Sequence, residues 1–196
     1  MRSVRQSNRP PRRAGMSLVE LMVAMGLSSL VLAAVGTLTL YGSRSSVAMV
    51  NYNDLEGRSR YALDVIGREV RQATELVALS TNAADKSLTF TNADEAATLT
   101  LSWDSHSRTL VFEKTGSAPQ TLLTECDRWD FALYQRTPWV TSSNIFFYPA
   151  TNNVGVLDIR LCKLVSMTWR CSRQIFAKKV NTENVQAAQI VLRNKQ

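Results

Sequence analysis

Glu20 is the residue whose type and position most clearly call for a chemical explanation. Residues 16–40 read MSLVELMVAMGLSSLVLAAVGTLTL, and Glu20 is the only charged side chain among them. As a helix this run would span about 37 Å, more than the roughly 30 Å hydrocarbon core of a bilayer. A carboxylate within such a helix costs free energy on insertion and is treated as functional by default. The run therefore predicts a membrane anchor with a functional carboxylate near its start.

The segment ahead of this run is strongly basic. It contains no acidic residue and five arginines, namely Arg2, Arg5, Arg9, Arg12 and Arg13. The chain carries a net charge of +7, but 18 basic and 16 acidic residues remain beyond this segment. The positive-inside rule places the N-terminus in the cytoplasm and residues from about 44 onward outside. The nearly neutral remainder gives no reason to expect contact with nucleic acid.

The junction between the basic segment and the apolar run has a recognisable spacing. Gly15 stands directly before the run, and Glu20 is the fifth residue after it, giving G-M-S-L-V-E. This resembles the type IV prepilin processing motif. The resemblance implies cleavage between Gly15 and Met16 by a prepilin peptidase, N-methylation of Met16, and a role for Glu20 in filament assembly. Gly36 occupies the region where such helices often have a proline, so local melting of the helix is not implied.

The rest of the chain divides by the period of its apolar residues. Residues 44–79 carry an apolar stripe at helical spacing, formed by Leu55, Ala62, Ile66, Val70, Ala73 and Val77. Short runs rich in β-branched and aromatic residues follow, and they predict strands at 87–91, 98–103, 109–114, 129–135, 144–148, 156–162 and 187–192.

These patterns predict an α+β protein in which a long N-terminal helix packs on an antiparallel sheet. We divide it into a basic leader peptide (1–15), a transmembrane and filament-core helix (16–43), an amphipathic continuation (44–79) and an extracytoplasmic β-rich domain (80–196). This arrangement also resembles the minor pilins and the minor pseudopilins of type II secretion, in particular those of the J or W type.

Three cysteines lie in the C-terminal part of the chain: Cys126, Cys162 and Cys171. None forms a CxxC, so a zinc ribbon or a thioredoxin-type site has no support. In an exported domain they would allow one disulfide with one thiol left over. The sequence leaves all three pairings open. In the cytosol, they would be small buried hydrophobic residues.

No group of residues predicts catalysis, a metal site or a cofactor. The single histidine, His106, stands in a polar stretch between two predicted strands, with no cysteine or carboxylate at ligand spacing. Asp127 and Asp130 flank Trp129, and solvated capping explains such a pair more simply than acid–base catalysis. We therefore expect a protein that is not an enzyme.

The function predicted is that of a structural subunit, a minor pilin or pseudopilin of a type IV pilus-like or type II secretion filament. The partners implied are a prepilin peptidase, other pilin or pseudopilin subunits, the bacterial inner membrane and a secreted cargo. The domain beyond the anchor is expected in the periplasm. The alternative is an uncleaved, signal-anchored binding or adhesin domain, which would retain residues 1–15.

Overall fold

The computed structural model describes residues 15–92, 97–136, 146–152, 154–173 and 183–192. The five leader arginines therefore lie outside the described residues. The chain divides into two compact units, Met1–Ser45 and Ser46–Gln196. The larger unit contains the end of the only long helix described and all of the described strands.

One helix, α1, runs from Leu18 to Gln72. Within the larger unit its buried residues recur mostly at spacings of three or four, as expected of an amphipathic helix that packs on a core. They are Leu55, Ser59, Ala62, Val65, Ile66 and Val70. The predicted stripe is confirmed at Leu55, Ala62, Ile66 and Val70, while Ser59 and Val65 were not predicted.

The helix ends seven residues earlier than predicted. The Ala73 amide hydrogen-bonds the Val70 carbonyl at 3.2 Å, and the next amide, of Thr74, bonds the Thr91 carbonyl at 2.9 Å. The chain therefore enters a sheet directly, and the assignment of 73–79 to the helix was wrong. Val77 fitted the helical period, but it lies 49% exposed in the first strand, and Ala73 is buried just after the helix.

The first sheet contains strands β1 (Glu75–Thr81), β2 (Asp85–Thr91), β3 (Thr98–Asp104), β4 (Thr109–Lys114) and β5 (Gln120–Leu123). They pair in sequence order, each antiparallel to the next. The predicted strands 87–91, 98–103 and 109–114 are confirmed as β2, β3 and β4. Apolar side chains alternate with polar ones in these strands, so one face of the sheet is buried.

The second sheet contains β6 (Cys126–Arg136), β7 (Phe147–Pro149), β8 (Leu164–Ser172) and β9 (Glu183–Val191), in the order β7-β6-β8-β9. All three pairings are antiparallel. The predicted strand at 129–135 is confirmed within β6, and the one at 187–192 is confirmed by β9 up to Val191. Part of the predicted strand at 144–148 lies outside the described residues, and β7 covers its end. The α+β class is confirmed, with two sheets in place of one.

The predicted strand at 156–162 was wrong. A short 3-10 helix, Ile159–Leu161, occupies this position, and the Asp158 side chain accepts a hydrogen bond from the Arg160 amide at 3.0 Å. This local cap satisfies the backbone without a partner strand. Strand β8, which follows, was missed although its buried and half-buried residues alternate over most of its length.

Both sheets and the larger unit's part of α1 contribute to one core. Trp103 of β3 donates its indole N–H to the Cys126 carbonyl of β6 at 3.0 Å. Lys86 of β2 donates to the Trp129 carbonyl at 2.7 Å and lies 2.8 Å from the Asp130 carboxylate, both in β6. These contacts join the two sheets to each other. The fold therefore depends on pairings between residues far apart in sequence.

An ion pair joins α1 to the first sheet and makes the fold sensitive to acid. Glu69 Oε2 lies 2.8 Å from Lys114 Nζ of β4, and the Glu69 side chain is 14% exposed. The hydrogen bond from Lys114 lowers the pKa of Glu69 below its ordinary value of 4.5. A carboxyl group whose pKa is lower in the folded chain than in the unfolded chain stabilises the fold. This stabilisation is fully present above the unfolded-state pKa and is lost as the pH falls through the folded-state pKa.

Glu69→Gln is therefore expected to lower the free energy of unfolding at pH 7 by about 1–2 kcal/mol and to have little effect at pH 3. Chemical denaturation of the full chain at the two pH values measures this. Glu113→Gln is the matched control, because Glu113 is an exposed carboxylate in the same strand as Lys114. Equal losses for Glu69→Gln at both pH values would contradict the assignment to the ion pair.

Candidate processing and assembly site

The start of α1 is held by two reciprocal hydrogen bonds between Ser17 and Glu20. The Ser17 amide donates to Glu20 Oε2 at 3.0 Å, and the Glu20 amide donates to Ser17 Oγ at 3.3 Å. This is a capping box, in which two amides that the first helical turn leaves without partners are satisfied by side chains. The carboxylate also lies where the helix dipole favours negative charge. Glu20 thus has a local structural role.

Ser17 is the residue of this site that the sequence analysis missed. The signal was available, because Ser-x-x-Glu directly before an apolar run is the pattern of a capping box. The box places the Glu20 carboxylate on the turn that follows Met16. A positive amine on Met16 would therefore form close to a negative group of its own chain.

Gly15 and Met16 lie just outside the helix and are exposed. Met16 is 70% exposed. A Cβ atom added to Gly15 would meet nothing within 4 Å, and the φ angle of Gly15 is not positive. The local fold therefore does not require glycine at this position. A requirement for glycine at position 15 would therefore have to come from a partner protein that binds this segment.

The apolar side chains from Leu18 to Tyr41 are exposed. Hydroxyl groups in this segment bond carbonyls of the preceding turn, as Ser29 does to Gly26 at 2.8 Å and Thr37 to Ala34 at 2.8 Å. These bonds lower the cost of placing the two hydroxyl groups in an apolar environment. The helix continues without a break through Gly36. By length and composition it is able to cross a membrane.

The cysteines are split between two places. Cys126 and Cys171 are register partners in the β6–β8 pair, and both are buried. Cys162 is also buried, but it follows the 3-10 helix and precedes β8. The structure thus brings two of the three cysteines together.

The other polar residues considered for chemistry serve the fold. His106 lies in the turn between β3 and β4, where Asp104 accepts its amide at 2.8 Å, and the hydrogen bond from the Ser107 side chain lowers the pKa of Asp104. Asp127 lies 2.6 Å from the Arg108 guanidinium, and Asp130 pairs with Lys86. Among the described residues there is no group of three or more metal-ligating side chains.

Comparison with known proteins bears on this same N-terminal segment. The family model of the prokaryotic N-terminal methylation motif matches residues 10–36, a span that contains Gly15, Met16, Ser17 and Glu20. No curated protein and no solved structure matched the chain. Residues 10–36 therefore carry the prokaryotic N-terminal methylation motif, the signature of a type IV pilin-like precursor.

Proposed function

We propose that this chain is a minor pilin or pseudopilin, a structural subunit of a type IV pilus-like or type II secretion filament. It is cleaved between Gly15 and Met16 by a prepilin peptidase, methylated on the new amine of Met16, and held in the filament by residues 16–43. The observation that supports this most directly is the exposed Gly15–Met16 junction next to the capped Glu20 at the start of an exposed apolar helix.

The proposal includes a topology. The leader arginines remain in the cytoplasm, the helix crosses the inner membrane once, and the sheet domain lies in the periplasm before assembly. The charge asymmetry of the sequence supports this orientation, because the leader contains five arginines and no acid. In the filament, the apolar helices pack against one another and the sheet domains remain outside.

The role of Glu20 follows from charge. Cleavage leaves Met16 with a positive amine at the tip of an apolar helix, where burial without a counter-charge would be costly. The Glu20 carboxylate of a neighbouring subunit supplies that counter-charge, and the pair fixes the axial register of the two helices more than it adds net stability. The partner subunits are therefore chains with the same N-terminal arrangement.

The experiment that tests the proposal is intact mass and N-terminal sequencing after co-expression with and without a prepilin peptidase. We expect a peptidase-dependent product that begins at Met16 and is heavier by one methyl group. A chain that keeps residues 1–15 under both conditions would overturn the proposal. It would favour the uncleaved, signal-anchored binding or adhesin domain in its place.

A pair of glycine variants sharpens this test. Gly15→Val is expected to abolish the peptidase-dependent product, while Gly26→Val within the helix is expected to be processed normally. Neither position has an atom within 4 Å of an added Cβ, so both valines meet open space. A difference between the two variants therefore reports recognition by the peptidase and not damage to the fold.

A further inference from the structure

The ends of β6 and β8 place two cysteines directly opposite each other. Cys126 is the register partner of Cys171, and the next matched pair is Arg128 with Arg170. Asp127 is thus the extra residue of a β-bulge, and its side chain contacts the Arg108 guanidinium and the Ser172 hydroxyl. These contacts fix the strand ends at the point where the cysteines face each other.

The pairing geometry suits a covalent bridge. Directly opposite residues of antiparallel strands have Cα atoms about 4.5–5.5 Å apart and side chains on the same face. Disulfides usually join residues whose Cα atoms are about 4.4–6.8 Å apart. Both cysteines are almost completely buried, Cys126 being 0% and Cys171 1% exposed.

The two thiols also interact. A hydrogen bond between the side chains raises the pKa of Cys126, and burial raises it further. The same bond lowers the pKa of Cys171. A hydrogen bond with Ser59 also lowers the pKa of Cys171, so this cysteine lies beside α1. The register thus places the two side chains next to each other on the same face of the sheet.

The fold excludes both alternative pairings in the folded domain. Cys162 precedes Leu164, the first residue of β8, whereas Cys171 is near the end of that strand. The seven steps of extended strand from Leu164 to Cys171 cover about 23 Å. Because Cys126 lies opposite Cys171, it is equally remote from Cys162. Cys162 itself contacts the Leu164 carbonyl with its sulfur at 3.7 Å.

We propose that Cys126 and Cys171 form a cross-strand disulfide that closes the end of the β6–β8 pair, and that Cys162 stays a thiol. The inference rests on the proposed export of the domain, because the step needs an oxidising compartment. The oxidant is a protein or small-molecule disulfide. One cysteine sulfur attacks it to form a mixed disulfide, and the other displaces the oxidant's second sulfur. Two electrons and the two thiol protons pass to the oxidant.

Burial determines when this exchange takes place. Thiol–disulfide exchange requires access of one sulfur to another, and neither cysteine is accessible in the folded domain. The bridge therefore forms while the exported chain folds, before α1 covers the pair at Ser59. Once formed, the bridge is equally shielded from reductants.

Mass spectrometry of the full chain tests the pairing, because trypsin separates the three cysteines. Cleavage after Lys114, Arg128, Arg160, Lys163, Arg170 and Arg173 places them in residues 115–128, 161–163 and 171–173. Thiols are alkylated under denaturing conditions before digestion without reductant. We expect a linked species of 115–128 with 171–173, and alkylation at Cys162.

The measurement is made on the chain from membranes and on detergent-purified chain refolded from the reduced state in reduced and oxidised glutathione. Cys162→Ser is the matched control and should retain the linked species, whereas Cys171→Ser should lose it. If the refolded chain has all three thiols alkylated, or has Cys162 in a linked peptide, the pairing is overturned. A third outcome is a linked species in the refolded chain together with three alkylated thiols in the chain from membranes. That outcome supports the pairing of Cys126 with Cys171 and contradicts the proposed periplasmic location of the domain.

Discussion

Glu20→Gln is expected to leave membrane insertion and cleavage intact and to reduce incorporation into filaments at least about tenfold. The reason is that a loss of about 1.4 kcal/mol at each contact between subunits lowers the association constant by a factor of about ten. Glutamine at this position still completes a capping box with Ser17. It carries no charge, however, and cannot neutralise the Met16 amine of a neighbouring subunit. The variant therefore separates the charge of Glu20 from its local structural role.

Ser17→Ala is the complementary variant, because it removes the hydroxyl that bonds the Glu20 amide and keeps the carboxylate. A lost N-cap costs about 1 kcal/mol of helix stability. We expect Ser17→Ala to assemble nearly as well as the unmodified chain. The fraction of mature chain in sheared filaments, compared with the fraction left in membranes, measures both variants.

The two variants together decide the role of Glu20. If Glu20→Gln assembled normally, the carboxylate would not be the partner of the Met16 amine. If Ser17→Ala assembled as poorly as Glu20→Gln, the defect would lie in the start of the helix and not in the charge. The comparison is needed because Glu20 bonds the Ser17 amide of its own chain, whereas the proposed pair with the Met16 amine lies between two subunits.

The N-terminal methylation motif could be predicted from the sequence because all of its parts are neighbours in the chain. Gly15, Met16 and Glu20 lie within six residues, and the helix that follows is defined by a long apolar run. The same holds for strands β2, β3 and β4, whose alternation and turn residues are local signals. Long-range contacts were not needed for any of these predictions.

The position of Cys126 opposite Cys171 could not be predicted, because it is a property of strand register. Cys126 and Cys171 are 45 positions apart in the sequence, and they meet because β6 pairs with β8. Register depends on which faces are buried across the whole pair. No local pattern near either cysteine contains that information.

The end of α1 and the strand at 156–162 were predicted wrongly. In both places the spacing of the apolar residues is compatible with more than one backbone structure. Val77 follows Ala73 at helical spacing, yet the Thr74 amide has its partner in β2, and a bulge after Leu76 leaves Val77 without a register partner. Leu157, Ile159 and Leu161 alternate as in a strand, yet Asp158 caps a 3-10 turn there. In each case a specific hydrogen bond decided the structure.

The second large effect is expected from a substitution in the core of the domain, which lowers its stability. Trp169→Ala is expected to lower the free energy of unfolding by about 3–5 kcal/mol, the usual cost of removing a large buried aromatic side chain. Trp169 is completely buried in β8, and its register partner in β6 is Trp129, also completely buried. Chemical denaturation of the detergent-solubilised chain, followed by near-UV circular dichroism, measures the loss.

The two tryptophans provide a matched pair for the more conservative change to phenylalanine. Trp169 donates its indole N–H to Ser59 Oγ of α1 at 3.3 Å. The indole N–H of Trp129 is buried and has no acceptor among the residues that the structure describes. Both substitutions remove similar volume, but only Trp169→Phe breaks a hydrogen bond and leaves the buried Ser59 hydroxyl with one partner fewer.

Trp169→Phe is therefore expected to cost about 1 kcal/mol more than Trp129→Phe. Adding Ser59→Ala to each variant completes the comparison. The excess should disappear in the Trp169→Phe, Ser59→Ala double variant, because both partners of the bond are then gone. Ser59→Ala should remain additive with Trp129→Phe. If Trp129→Phe cost as much as Trp169→Phe, the hydrogen bond between Trp169 and Ser59 would contribute nothing to the free energy of unfolding.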